Sequence, residues 1–172
     1  MAKKIPSSWI RFKPIGDQIE GTRFICFKTP LSEDRFVGCG LEEDKIFTVS
    51  ELVKRINEKG KRLGMVVSCC SRLLYDPAEL EKNGVECHVQ VPHVTREAEK
   101  AILKIKKYLS KQKDQNVVVG IHCLHGINRT GFLTCTYMIK ELGLDAEEAI
   151  RRFETARGHE IETTKSDIRR QQ

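Results

Sequence analysis

The sequence predicts an α/β fold: a doubly wound sandwich in which a mainly parallel sheet carries helices on its faces. Three observations lead there. Short apolar runs rich in β-branched residues alternate with stretches whose apolar residues recur every three or four positions, as in strands joined by crossover helices. The run Val117-Val118-Val119-Gly120-Ile121 shows no polar alternation, as expected of a strand buried on both faces. A length of 172 residues with 40% hydrophobic content fills one core, so residues 1–172 read as a single domain.

Taken in order, residues 1–13 set Trp9 and Phe12 among Lys3, Lys4, Arg11 and Lys13, an arm that could pin itself to the core or lie along nucleic acid. Packing is the preferred role for Trp9, and residues 1–8 are expected to be flexible. Thr22 to Lys28 alternates as a strand and Pro30 ends it. Gly38-Cys39-Gly40 reads as a turn. Ser50 is the expected cap of a helix presenting Leu52, Val53 and Ile56, stopped by Gly60. Gly64 to Cys69 is a buried strand, and Val85 to Val91 is another, closed by Pro92. Thr95 is the expected cap of a helix with Ala98, Ala101, Ile102, Ile105, Tyr108 and Leu109 at helical spacing. Its lysines Lys100, Lys104, Lys107 and Lys111 form a solvated face. Thr130 to Leu142 makes the next helix, and Asp145 with Glu148 forms a capping box for the one that presents Ile150 and Phe153 and ends at Gly158. Residues 160–172 are charged and expected to fray.

Between the strand at 117–121 and the helix from Thr130 sits Cys123-x5-Arg129. A loop this short, with Gly126 inside it, can curl so that successive backbone N–H groups converge on one point at a helix N-terminus, a nest for an anion such as phosphate. Cys123 under that nest would attack as its thiolate. The planar Arg129 fork can grip two equatorial phosphoryl oxygens while charge redistributes. Thr130 can donate its hydroxyl to the sulfur, easing its departure when water hydrolyses a phosphocysteine. His122 is placed to order the loop. The site lies beyond a strand's C-terminal end, where such sheets hold ligands.

The stretch His122-Cys123-Leu124-His125-Gly126-Ile127-Asn128-Arg129-Thr130-Gly131 resembles the signature loop of the cysteine-dependent tyrosine and dual-specificity phosphatases. His125, Gly126 and Asn128 make it similar to the branch acting on RNA 5′ ends, which holds the capping-enzyme triphosphatase domains, the baculovirus RNA phosphatase and the phosphatases that interact with ribonucleoprotein complexes. Ile5-Pro6-Ser7-Ser8-Trp9, Gly21 to Leu31 and Ala156-Arg157-Gly158-His159 resemble that branch too. The chain departs from it at Ser68-Cys69-Cys70, where Asp-Leu-Thr is usual, and at Thr163 to Ser166, where Arg-Gln-Asn-Tyr is usual.

The resemblance implies a three-layer cysteine-dependent phosphatase fold, with Cys123, Arg129 and Thr130 catalytic. It implies substrate binding by His122, Leu124, His125, Gly126, Ile127, Asn128, Arg129 and Lys28, with no metal or cofactor. The implied reaction removes the γ and then the β phosphate from RNA 5′ ends. The implied partners are tri- and diphosphate RNA ends together with ribonucleoprotein or RNA-processing proteins. Two alternatives stand beside it: a dual-specificity phosphoprotein phosphatase, and a module that binds phosphorylated ends without turnover.

An absence favours the anhydride reaction. Protein phosphatases of this superfamily place an aspartate about thirty residues before the nucleophile to protonate the leaving oxygen. Between Asp76 and Asp114 there is none, and Val91 to Glu97 offers only His93 and Glu97.

Composition narrows the classes further. A net charge of +6 and a pI near 9.0 permit attraction to polyanions. Seven cysteines without framework spacing fit reduced thiols, hence nucleus or cytoplasm, and no Cys-x2-Cys pair offers a zinc site. No apolar run is long enough to span a bilayer, and Met1 to Pro6 lacks a signal-peptide core, so a chain that is neither secreted nor membrane-bound is expected. A monomer is expected as well. No Gly-x4-Gly-Lys-Ser/Thr is present, which excludes NTPases of that type. The loop carries no lysines of the kind phosphoinositide phosphatases use for extra phosphates. The chain also lacks the lysine motif and the length of a capping guanylyltransferase.

Overall fold

The computed structural model describes residues 4–172. Its sheet has five strands: β1 (Ile15–Gln18), β2 (Phe24–Lys28), β3 (Arg62–Ser68), β4 (Cys87–Gln90) and β5 (Val117–Cys123). Their spatial order is β1-β2-β5-β3-β4, with β1 antiparallel to β2 and every other pairing parallel. The helices are α1 (Val49–Glu58), α2 (Ala78–Lys82), α3 (Val94–Ser110), α4 (Asn128–Leu142), α5 (Ala146–Arg157) and α6 (Lys165–Arg169).

Side chains of the central strands alternate between two cores, as the pleat requires. Phe24, Cys26, Met65, Val67, Val119 and Ile121 pack with α3, α4 and α5 on one face. Ile25, Phe27, Leu63, Val66 and Val118 pack with α1, Leu80 of α2 and Trp9 on the other. This makes the three layers, and it explains why β5 reads as an unbroken apolar run: all seven of its residues are buried. Gly120 sits in it because a Cβ there would meet the Phe27 ring at 2.5 Å.

Several expected boundaries move. The strand expected from Thr22 starts at Phe24, because Thr22 closes a turn: its Oγ1 donates to Ile19 O and accepts from Phe24 N at 3.0 Å. Thr48, not Ser50, caps α1, its Oγ1 accepting from Glu51 N at 3.2 Å. Thr95 lies inside the first turn of α3, which begins at Val94 with no side-chain cap. The strand expected over Val85 to Val91 keeps its ladder only from Cys87 to Gln90. Sequence reasoning misses β1 altogether: in Ile-Gly-Asp-Gln the glycine and aspartate disfavour a strand, and pairing with β2 forms it.

The termini differ from expectation as well. Within the flexible segment expected over 1–8, residues 1–3 lie outside the described residues. From there on the chain is tied down: Trp9 N donates to Pro6 O, and fully buried Trp9 donates Nε1–H to Thr29 O at 2.8 Å. The tail expected to fray over 160–172 instead folds back as α6 against α4 and α5, burying Ile161 and Ile168. Two isolated isoleucines are too few to make a periodic signal, yet each covers apolar surface once the helices have formed.

Candidate active site

β5 ends at Cys123, and α4 starts five residues later. Chain reversal in that space requires Gly126 at φ +71°, a left-handed conformation. A Cβ at Gly126 would also strike the Phe27 carbonyl. The N-terminus of α4 has no side-chain cap, and its first backbone bond to close is Gly131 N to Ile127 O. The preceding amides are therefore the orphan donors of a helix start, aimed where an anion completes them.

Cys123 lies at the floor of this loop, 3% exposed. Thr130 is fully buried and donates its hydroxyl to Cys123 Sγ at 3.1 Å, the contact expected of it. Arg129 spends one donor, Nη1, on Cys69 O at 3.0 Å, which anchors the guanidinium against the end of β3 and leaves the rest of its fork for a ligand. The expected catalytic three thus converge. If this hydroxyl assists a departing sulfur, Thr130→Val should let phosphocysteine accumulate, lowering kcat about tenfold to a hundredfold, the value of one hydrogen bond to a charged group. A rapid-quench burst of the dephosphorylated leaving group equal to the enzyme concentration, running ahead of orthophosphate release, would reveal it, and an unchanged kcat would refute the role.

The expected substrate-binding residues separate into distinct tasks. Leu124 is partly exposed and lines the cavity beside Arg129. Ile127 is fully buried and offers substrate only its backbone. Asn128 does not face the anion site: its Oδ1 accepts from Glu162 N at 2.9 Å and Thr163 N at 2.8 Å, fastening the C-terminal tail to the loop. His125 stacks on Phe12, with ring centroids 4.6 Å apart, and its Nε2 bonds Ser8 Oγ at 2.8 Å, so it clasps the N-terminal arm.

Lys28 is not a substrate ligand either. It is 1% exposed, its Nζ donates to Trp9 O and Phe12 O at 3.1 and 2.9 Å, and it lies 3.4 Å from the Trp9 ring centroid. Burial and the nearby Arg157 guanidinium push its pKa down to about 7, while the two carbonyls and the ring favour its ammonium form.

His122 is fully buried and orders the loop without touching solvent. Its Nε2 pairs with Tyr75 Oη at 2.9 Å and its Nδ1 with Cys123 O at 3.2 Å. Burial pushes its pKa down to about 4, so the neutral ring donates Nδ1–H and accepts from the phenol. Above pH ~6.5 neither folded nor unfolded chain protonates this ring, whereas between ~6.5 and about 4 the unfolded chain binds the proton first. Stability should therefore fall as pH drops through that window, by about 3 kcal/mol for this group. Urea unfolding at pH 7.5 and 4.5 should show a smaller acid loss in His122→Asn than in the native chain, and equal losses would refute the assignment.

Sequence reasoning missed the residue that binds these parts together. Arg157, 1% exposed at the end of α5, donates Nε to Gly126 O at 3.0 Å and Nη2 to His125 O and Lys13 O at 2.9 and 2.7 Å. The adjoining His159 accepts from Lys13 N at 2.9 Å. The only signal in the sequence is the Ala156 to His159 motif, whose spatial partner no spacing rule reveals. Gly16 belongs to the same junction, since a Cβ there would lie 2.7 Å from Ala156 O.

His93 and Glu97 stand at the start of α3, His93 exposed and Glu97 in the first turn. The His93 carbonyl accepts from Arg96 N and Glu97 N. Neither side chain hydrogen-bonds the Cys123 loop.

Comparison with known proteins agrees with this geometry. Residues 46–169 match the family model described as dual specificity phosphatase, catalytic domain. The RNA/RNP complex-1-interacting phosphatase of Bos taurus is 33% identical over 163 residues, covering 92% of this chain and 49% of that protein. A probable tyrosine-protein phosphatase of Caenorhabditis elegans, pir-2, is 34% identical over 169 residues, covering 94% and 46%. The chain thus spans about half the length of these relatives. A tyrosine-protein phosphatase of Autographa californica nuclear polyhedrosis virus is 34% identical over 163 residues, covering 91% of this chain and 93% of its own. Among solved structures, Tk-PTP in its active form shares the fold with a TM-score of 0.62 at 20% identity, covering 89% of this chain and 92% of that one. A nucleophilic cysteine on an anion loop, fixed by an arginine and a threonine, is therefore here the equipment of an enzyme, and the chain belongs to the dual-specificity phosphatases, a family of cysteine-dependent phosphatases.

Proposed function

We propose that the chain is a metal-independent RNA 5′-triphosphatase or polyphosphatase acting in the nucleus or cytoplasm, alone or beside ribonucleoprotein proteins. The Cys123 thiolate attacks the γ phosphorus, an S–P bond forms, and the β-phosphate leaves with the bridging oxygen and its electron pair. Water then attacks the phosphocysteine, the S–P bond breaks, and the thiolate returns as orthophosphate departs. A second cycle removes the β phosphate.

The observation that carries this reading is the segment 91–97. It has no aspartate, and its two candidate acids, His93 and Glu97, make no contact with the anion loop. A phenol leaves with a pKa of about 10, whereas the terminal ionisation of a phosphate lies near 6, so a phosphoanhydride departs without a proton donor. The difference of about four units corresponds to about 5 kcal/mol of proton affinity. Relatives named for interaction with an RNA/RNP complex support the same class of substrate.

The test compares kcat/KM for triphosphate RNA, diphosphate RNA and a phosphotyrosine peptide, with EDTA present and with Glu97→Gln and His93→Ala variants. RNA ends should be preferred by about a hundredfold or more, since even half of that proton affinity is worth nearly two powers of ten. Comparable rates on the peptide, or a peptide rate that alone collapses in one variant, would show a working general acid and move the reading to a phosphoprotein phosphatase. That second reading is the one favoured by the names of the viral and nematode relatives.

A further inference from the structure

The segment leaving β3, from Cys70 to Tyr75, runs past the mouth of the anion site, and two cavities open along it. The first, about 250 Å³, is walled by Arg129, Leu124, Pro6, Arg72 and Leu74 among others. The second, about 290 Å³, is walled by Arg72 and Leu74 again, together with Arg35 and Ser32. Sharing those two side chains, they are neighbouring compartments of one trough that begins at the Arg129 guanidinium, passes Arg72 and reaches Arg35.

Among the described residues no carboxylate balances the arginines along this trough. Arg55, Arg62, Arg151, Arg152, Arg169 and Arg170 each grip a carboxylate. Among the described residues the three trough arginines grip none. Arg129 donates to Cys69 O, and Arg35 donates Nη1 to Lys4 O while its buried Nε has no acceptor among the described residues. Arg72 is exposed and, among the described residues, touches no carbonyl, carboxylate or ring. Past Arg35 the sign reverses. The adjoining cavity of about 210 Å³ presents Glu33, Asp76 and Glu79, and Asp76 also borders the second compartment with its Oδ1 held by Ala78 N.

We propose that this trough is the exit path of the RNA strand. With the reacting phosphate in the Cys123 loop, Arg72 grips the phosphates that follow it, Arg35 meets the next phosphodiester, and Leu124, Leu74 and Pro6 form the apolar wall for the first nucleoside. A planar fork suits this task because it binds two phosphoryl oxygens at once, and a positively charged groove that tracks the backbone holds a single strand without reading its sequence. The acidic cavity beyond Arg35 ends the path, so affinity should rise from a nucleoside triphosphate to a short oligonucleotide and then level off. The inference rests on the proposed RNA substrate and adds where the strand lies.

Its test uses binding rather than turnover. Cys123→Ser, Cys123→Ser with Arg72→Ala, and Cys123→Ser with Arg72→Glu would be titrated with 5′-triphosphate RNAs of increasing length, with a nucleoside triphosphate and with inorganic phosphate, over a range of salt. Loss of Arg72 should weaken oligonucleotide binding about tenfold, and more in the glutamate variant, and should flatten the dependence of log K on log salt by about 0.7, one single-strand phosphate contact. Unchanged affinity and slope in both variants would overturn the path. So would an equal weakening toward inorganic phosphate, which would mark a disturbed anion loop, and so would a failure of Cys123→Ser to bind RNA at all. A native chain that binds RNA with this Arg72 dependence but releases no phosphate from it would defeat the proposed reaction and leave the path standing.

Discussion

Cys123→Ser should lose at least about a thousandfold in kcat while still binding triphosphate RNA, as expected when a covalent nucleophile is removed and its binding site kept. The serine hydroxyl can still accept from Thr130, and the amides at the start of α4, the Gly126 turn and Arg129 do not depend on the sulfur. What disappears is the thiolate that forms the S–P bond. Arg129→Lys should fail by a different route, losing about a hundredfold to a thousandfold in kcat, the scale of one donor removed from a developing charge. The guanidinium spans from Cys69 O to the ligand with separate N–H groups, which a point charge on a flexible stem cannot do. Trapping radiolabelled phosphocysteine on the native chain and on each variant separates the two failures: none should form on Cys123→Ser, and little on Arg129→Lys. Substantial turnover by Cys123→Ser would sink the covalent mechanism.

Arg157→Met should cost about 3–5 kcal/mol of stability, or about 10 °C in Tm for a chain of this size, and should lower activity beyond the share of molecules that unfold. The side chain is buried and satisfies three carbonyls drawn from the anion loop and the N-terminal arm, those of Gly126, His125 and Lys13. Methionine fills much of the volume and satisfies none of them. The guanidinium itself sits in a costly place: burial pushes its pKa down to about 10, and its Nη1 has no acceptor among the described residues. Its charge acts on Cys26 and on Cys123, so removing it also withdraws positive potential from the nucleophile. Calorimetry together with kcat on folded protein tests both parts. A Tm within about two degrees of native, with kcat within about twofold, would reduce Arg157 to filler.

These effects mark the boundary between what was legible in the sequence and what was not. Cys123, Gly126, Arg129 and Thr130 could be placed from the sequence because they lie on one strand, loop and helix start, where spacing and backbone preference set the geometry: Gly126 turns the chain, and the Arg129 and Thr130 side chains come back over the sulfur. The alternation of apolar runs that gave the parallel sheet is equally local. Lys28 and Asn128 belonged to matching motifs, and their residue types fit a phosphate ligand, yet one is buried under Trp9 and the other holds the tail.

By itself the sequence determined the layered α/β class, the nucleophile, its anion loop and the missing aspartate, since periodicity, turn chemistry and short-range spacing act within a few residues of the chain. Only the tertiary structure decided how the loop is held and which arginines line the cavities beside it. The contacts of Arg157 with Lys13, of His125 with Ser8 and of His122 with Tyr75, and the line from Arg129 through Arg72 to Arg35, join residues 47 to 144 positions apart or side chains on separate loops. Such partners are chosen by which faces the sheet and helices bury against one another, a consequence of packing the whole core that no local pattern encodes.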